Sequence, residues 1–313
     1  MKINNDMNVT FGGAASHCYV KGKDLLGLSK WEIHKRYLVD SKFVVIPDLF
    51  QAAINRACNL RCKYCPNSFE KSIPEETMPM NLFEKIMLDL RGIKYDETLT
   101  FHGYGEPLLI PAEEYIKTAG EIVPTAKKKL FTNGLLLTND RLESLFAAGV
   151  DEIMVTQHTP KGFIDRLREI PEHYLRKIFV RYSDEMKMTN RAGGIGDAVE
   201  NYSGYGEPCL SSIRVFNVRP NGEVPMCDDD YYLKKTMGNF NFENLIEILT
   251  KNKLRMIARF NGKKRNDLCA QCDRFSLDNP TVSASNSGHP LNSAIYRKKL
   301  LEETGSAHLS SNK

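Results

Sequence analysis

Between about Phe50 and Val215 the sequence alternates short apolar segments of strand character with longer stretches of helical periodicity, and this rhythm is the strongest constraint on the fold. Thr98-Leu99-Thr100-Phe101, Lys129-Leu130-Phe131-Thr132, Ile153-Met154-Val155-Thr156, Ile178-Phe179-Val180 and Ile213-Arg214-Val215 read as strands. The series opens with a strand through Ala52 to Ala57. In the first helical stretch Phe83, Ile86, Met87 and Leu90 share one face behind a capping box of Asn81 and Glu84, with Gly92 as the stop. A second helix lies near Ala112 to Ile122. Thr138 caps a third, with Leu142, Leu145 and Phe146 at helical spacing and Gly149 ending it, and a fourth lies near Phe163 to Glu169. Strands separated by helices pair in parallel through right-handed crossovers. About six such units make an α/β chain forming a partial (β/α)6 TIM-like barrel.

After Val215 the rhythm changes. Val215 to Met226 reads as a hairpin around Pro220-Asn221-Gly222, and a helix from Asn241 turns Leu245, Ile248 and Leu249 inward. This makes a small α+β unit whose missing apolar core a metal could replace. The expected division is an irregular arm over 1–47, with one short helical stretch near Leu25 to Tyr37, and the barrel over 48–204. The last barrel strand and the small unit fill 205–275, and a flexible Ser/Asn-rich tail covers 276–313. With 43 basic and 39 acidic residues the net charge of +4 gives nucleic acid little claim. No apolar run reaches the roughly 18 residues of a membrane span, and the start lacks a signal peptide's apolar stretch. A cytoplasmic protein without membrane or nucleic-acid partners is expected.

Eight cysteines in such a chain point to metal or redox chemistry. Cys58, Cys62 and Cys65 form one group, Cys209, Cys227, Cys269 and Cys272 a second, and Cys18 stands apart. Three thiolates spaced Cys-x3-Cys-x2-Cys can hold three irons of a 4Fe-4S cube and leave the fourth iron open, as catalytic metals require. Four cysteines can saturate a second cube, suited to electron transfer. Zinc is the alternative at either group, more seriously at the second.

The stretch Cys58-Asn59-Leu60-Arg61-Cys62-Lys63-Tyr64-Cys65 resembles the signature of the radical S-adenosylmethionine (SAM) family. Gly103-Tyr104-Gly105-Glu106-Pro107 resembles its SAM-amino motif, where glycine lets the backbone approach a ligand amine. On that resemblance the first cluster binds SAM. Tyr64, Gly103, Gly105, Glu106, Thr132, Asn133, Thr156, Gln157 and Arg191 are expected around SAM, with Tyr64 packing on adenine. Thr132-Asn133-Gly134, Thr156-Gln157-His158 and the glycine-flanked Arg191 all fall at or beyond strand ends, the catalytic face of a barrel. The second cysteine group resembles the twitch domain, the short form of the SPASM domain, and implies an auxiliary 4Fe-4S cluster.

From Cys58 to Cys272 the motifs look most like the twitch-type dehydrogenases that act on deoxy-scyllo-inosamine in butirosin biosynthesis. Tyr64 to Ser68, Tyr104 to Leu109, Val155 to His158 and Asn190 to Ile195 carry the likeness. It implies oxidation of a secondary alcohol on a small aminocyclitol or sugar, with Tyr104 and Arg191 at the substrate and reduced flavodoxin or ferredoxin as electron donor. Phe131 stands where a tyrosine is expected. Asp228-Asp229-Asp230 reads as a solvated run, with contact to an amine or hydroxyl of the substrate as the alternative. The runner-up is an epimerase with Cys18 as hydrogen donor. Peptide modification and a non-catalytic metal scaffold are further alternatives, the former weakened by the short arm.

Overall fold

The computed structural model describes residues 10–11, 18–21, 43–158, 170–183, 189–195, 209, 211–260, 267–270, 272 and 289–290. Three short strands come first: β1 (Thr10–Phe11), β2 (Cys18–Lys21) and β3 (Phe43–Ile46). They form their own sheet, β1 antiparallel and β3 parallel to β2. The arm thus carries strands where an irregular chain was expected, and the expected stretch over Leu25 to Tyr37 lies outside the described residues.

The barrel follows as β4 (Leu49–Ala52), α1 (Met80–Gly92), β5 (Thr98–Thr100), α2 (Ala112–Ile122), β6 (Lys127–Thr132), α3 (Asn139–Ala147), β7 (Glu152–Gln157), α4 (Glu172–Leu175), β8 (Ile178–Tyr182), α5 (Ser211–Arg214) and β9 (Val215–Val218). β10 (Glu223–Pro225), β11 (Thr236–Asn239), α6 (Leu245–Phe260), α7 (Asp267–Ala270) and β12 (His289–Pro290) complete the described elements. The large sheet runs β12-β8-β7-β6-β5-β4-β9. Its six strands from β8 to β9 are all parallel, as the crossovers require, and β12 adds an antiparallel edge. This is the expected partial barrel. Among the described residues no helix is long and apolar enough to cross a membrane.

Several local expectations change. The opening strand is Leu49–Ala52, and Ala53 to Ala57 leave the regular ladder. Ala53 N still donates to Val218 O of the neighbouring strand at 2.9 Å, and Arg56 N then donates to Glu76 O at 2.8 Å as the chain runs on toward the first cysteines. α1 starts at Met80 because Pro79, with its fixed φ, takes the cap position, so Asn81 sits inside the first turn and caps nothing. Thr138 does cap α3, accepting from Arg141 N at 3.2 Å, and Gly149 follows with φ +99°. Ile213 belongs to the helical turn α5, and the last barrel strand begins at Val215. The turn at Pro220 to Gly222 forms, but the outgoing strand β10 pairs with β11. The small unit's helix starts at Leu245, four residues later than expected, with Leu245, Ile248 and Leu249 buried. The helix expected near Phe163 to Glu169 lies outside the described residues.

Register decides which face of the sheet is apolar. Phe50 aligns with Leu99 and Phe216, and Phe50 stacks on Phe216 at 5.2 Å while Phe216 meets Phe240 edge-on. These residues belong to the main hydrophobic core. Gln51, one residue on, aligns with Thr100 and Asn217, and Thr100 aligns with Lys129. Because side chains alternate along a strand, this row occupies the opposite, inner face. It is polar and buried, unlike the branched apolar layers usual in closed barrels.

Candidate active site

The loop after β5 is fitted against the chain that leads into the first cysteines. A Cβ on Gly105 would stand 2.5 Å from both Asn55 O and Asn55 Oδ1, and one on Gly103 would stand 2.8 Å from Ala53 Cβ. Glycine is needed at both positions for this close packing. Glu106 N donates to Ala57 O at 2.8 Å, and Asn55 Nδ2 donates to Glu106 O at 2.9 Å.

The Glu106 side chain, only 3% exposed, clamps the next strand end. Its Oε1 accepts from Leu108 N at 3.1 Å and Thr132 Oγ1 at 2.6 Å, and its Oε2 accepts from Asn133 N at 2.8 Å. Burial pushes its carboxyl up despite these donors. Asn133 Nδ2 then donates to Asn59 Oδ1 at 2.8 Å, inside the cysteine loop. Glu106, Thr132 and Asn133 thus join the Gly103 loop, the end of β6 and the cysteine loop into one cradle.

Within the cysteine loop Cys65 N donates to Cys62 O at 2.8 Å, and Pro66 to Phe69 form a 3-10 turn. Burial pushes the Cys58 thiol up to about 11, with further upward push from Glu106, Cys65 and Cys62. The Cys62 and Cys65 thiols are raised for the same primary reason. Tyr64, expected on an adenine, bonds His158 Nδ1, and burial holds His158 down at about 4. Arg181 Nη2 donates to Thr156 Oγ1 at 2.8 Å. Gln157 is buried at the end of β7.

Tyr104 and Arg191 come together. The Arg191 guanidinium lies 5.8 Å from the Tyr104 ring centre and pairs with Asp229 Oδ1 at 3.0 Å, while Tyr104 Oη donates to Asp228 O at 2.6 Å. Arg191 and Ala192 adopt left-handed backbone angles, φ +49° and +52°, which bend the segment back. The Asp228 to Asp230 run is not solvated. Asp229 is 2% exposed and holds Arg191, and Asp230 accepts from Lys234 N and Lys235 N, both at 2.9 Å. Cys18 lies on β2 in the small sheet, paired in register with Phe11 and Phe43.

Sequence reasoning passed over three residues. Arg219 lies 5.0 Å from the Tyr104 ring centre and donates to Asp230 O at 2.9 Å. His102 stacks on Phe131 at 4.3 Å and bonds Gln51 Nε2 through its Nε2 at 3.4 Å. Arg259, near the end of α6, is buried against the second cysteine group. The alternation of β5 and β6 places His102 on the inner face with Phe131, but no sequence signal marks Arg259.

The model for the radical SAM superfamily matches residues 53–183, and that for an iron-sulfur cluster-binding (SPASM) domain matches residues 209–273. Residues 53–183 belong to the radical SAM superfamily. The chain is 29% identical over 238 residues to the S-adenosyl-L-methionine-dependent 2-deoxy-scyllo-inosamine dehydrogenase of Niallia circulans, covering 73% of itself and 94% of that enzyme. It is also similar to the crystal structure of BtrN in complex with AdoMet and 2-DOIA, with a TM-score of 0.66 and 26% identity over 73% of this chain and 93% of that one. A tungsten-containing aldehyde ferredoxin oxidoreductase cofactor-modifying protein of Pyrococcus furiosus is 34% identical over 164 residues, 48% of this chain and 43% of that protein. The cofactors of this architecture are SAM and two 4Fe-4S clusters.

The residues present fit those groups. Three desolvated thiols on one loop, each raised by burial, need a cationic centre to hold them as thiolates. Among the described residues no three His, Cys, Asp or Glu gather as ligands of a single ion would. The thiolates of a cube each take a different iron and so stand farther apart. Cys227, Cys209 and Cys269 all act on Arg259, and Cys272 N donates to Cys269 O at 3.2 Å, so the second group also gathers at one place.

Proposed function

We propose that this chain oxidises a secondary alcohol of an aminocyclitol or related sugar to a ketone, in antibiotic or other secondary-metabolite biosynthesis. Similarity along 94% of a dehydrogenase of that class carries the reading, together with both cysteine groups in matched domains. When bound, SAM and the first cluster supply a radical able to take a hydrogen atom from a carbinol carbon.

Cys58, Cys62 and Cys65 would hold the first cluster, and Cys209, Cys227, Cys269 and Cys272 the auxiliary one. The cradle of Gly103, Gly105, Glu106, Thr132 and Asn133, with Tyr64, Thr156, Gln157 and Arg191, would frame SAM. Glu106 serves that cradle from behind, since both its oxygens are engaged within it. Tyr104 and Arg191 face the substrate, and buried Asp229 fixes the guanidinium so that it donates in one direction. Reduced flavodoxin or ferredoxin is the proposed electron donor.

The test is anaerobic incubation with reductant, SAM and 2-deoxy-scyllo-inosamine or related aminocyclitols. A ketone with one deoxyadenosine per turnover is expected. A product at unchanged oxidation level, carrying solvent deuterium at a retained carbon, would replace dehydrogenation with epimerisation.

A further inference from the structure

The second cysteine group contains a buried cation that the reaction scheme leaves unused. Arg259 is 5% exposed, and its Nη1 donates to Met226 O at 2.6 Å, the carbonyl immediately before Cys227. Its side chain also hydrogen-bonds Cys269 from α7, and Cys227 and Cys209 act on it electrostatically. Three thiols of the second group thus act on its guanidinium. A buried guanidinium without an anionic partner is costly, so such groups are found paired. Four thiolates around an iron-sulfur core provide that anion.

We propose that Arg259 is the charge partner of the auxiliary cluster, holding it in the fold and raising its reduction potential. This rests on the reading that Cys209, Cys227, Cys269 and Cys272 bind iron and sulfide. An electron added to this centre makes an anionic group more anionic, and a fixed cation stabilises the reduced form more than the oxidised one. Hydrogen bonds to the sulfurs and burial are among the factors that set such potentials. Arg259 supplies both the charge and a donor. The Met226 carbonyl and the helical position of Arg259 fix its orientation before any electron arrives.

Arg259→Met keeps length and bulk without charge, and Arg259→Lys keeps the charge. The full chain is reconstituted anaerobically, iron is counted per chain, and the auxiliary midpoint is followed by EPR during redox titration. In Arg259→Met the auxiliary cluster's electron affinity should weaken about tenfold or more, a fall of about 59 mV for a one-electron couple. Selective loss of the auxiliary iron would express the same dependence. Arg259→Lys should recover most of the potential and the iron. An Arg259→Met protein with full iron and an unchanged midpoint overturns the inference. So does an Arg259→Lys protein as impaired as Arg259→Met, because bulk and geometry would then matter and charge would not. Zinc at this group in the wild-type chain would overturn the cluster reading itself, a result distinct from either.

Discussion

Replacing Glu106 by glutamine should loosen the cradle by a definable amount. In the native chain Oε1 accepts two hydrogen bonds and Oε2 a third, from Asn133 N at 2.8 Å. A glutamine with its carbonyl at the Oε1 position keeps the first two, but its amide nitrogen then faces the Asn133 N–H, donor against donor. A buried donor left unmet costs about 1–3 kcal/mol. Relief from burying a carboxylate, whose pKa burial has raised, offsets part of that. A net loss of about 1–2 kcal/mol is expected, whereas Glu106→Ala strands all three donors and should lose about 3–5 kcal/mol.

The sign of the pH dependence follows from the raised carboxyl. A group with a raised folded-state pKa contributes stability that is fully present below its unfolded value and lost as pH rises through the folded one. The deficit of the glutamine variant should therefore narrow as pH climbs above about 4, the ordinary carboxyl range. Urea titration of anaerobically reconstituted protein, with iron counted in parallel, measures both effects. If Glu106→Gln and Glu106→Ala each lie within about 0.5 kcal/mol of wild type, the clamp has no energetic role.

Gly105→Ala places a methyl 2.5 Å from two oxygens of Asn55, so the loop must move and reconstituted iron at the first cysteine group should fall, as a colorimetric count would read; full iron would contradict the close packing. Burial pushes His102 down to about 3, aided by Arg181. The unfolded chain takes up that proton below about 6.5 and the folded chain does not, so stability should decline as pH falls from about 6.5 toward 3. His102→Phe should flatten that slope in acid titrations, and an unchanged slope would show that the ring is not held neutral. Arg191→Lys cannot reproduce the directed donation to one side; substrate KM should rise about tenfold or more, and an unaltered KM would remove Arg191 from the substrate's surroundings.

Much of this architecture was legible because it rests on short-range chemistry. The alternation of apolar strands and amphipathic helices leaves parallel pairing as the only economical arrangement, and α2 falls at the expected Ala112 to Ile122. Thr138 and Gly149 punctuated α3 as their side-chain oxygen and backbone freedom dictate. Boundaries shifted where a neighbour in space intervened. Ala53 to Ala57 have strand-like residues, yet beyond Ala53 their backbone bonds with Glu76 and Met78.

Site chemistry was harder to read, since a run of three aspartates looks solvated until Arg191, Lys234 and Lys235 are seen to surround it. The Glu106 carboxylate accepts from Leu108, Thr132 and Asn133, the last two far away in sequence, and no local pattern announces that clamp. Arg259 is separated by 32 residues from the Cys227 it serves, and nothing local to α6 distinguishes it from a surface arginine.

Iron content resolved by cysteine group is the most direct measurement. Wild-type protein reconstituted without oxygen should carry about eight irons per chain, two cubes of four. Replacing Cys58, Cys62 and Cys65 with alanine should remove about half of that iron and abolish SAM cleavage, whereas replacing Cys269 and Cys272 should remove the other half and leave SAM cleavage in place. Full iron and continued cleavage after loss of the first three thiols would contradict the assignment of the radical-forming centre.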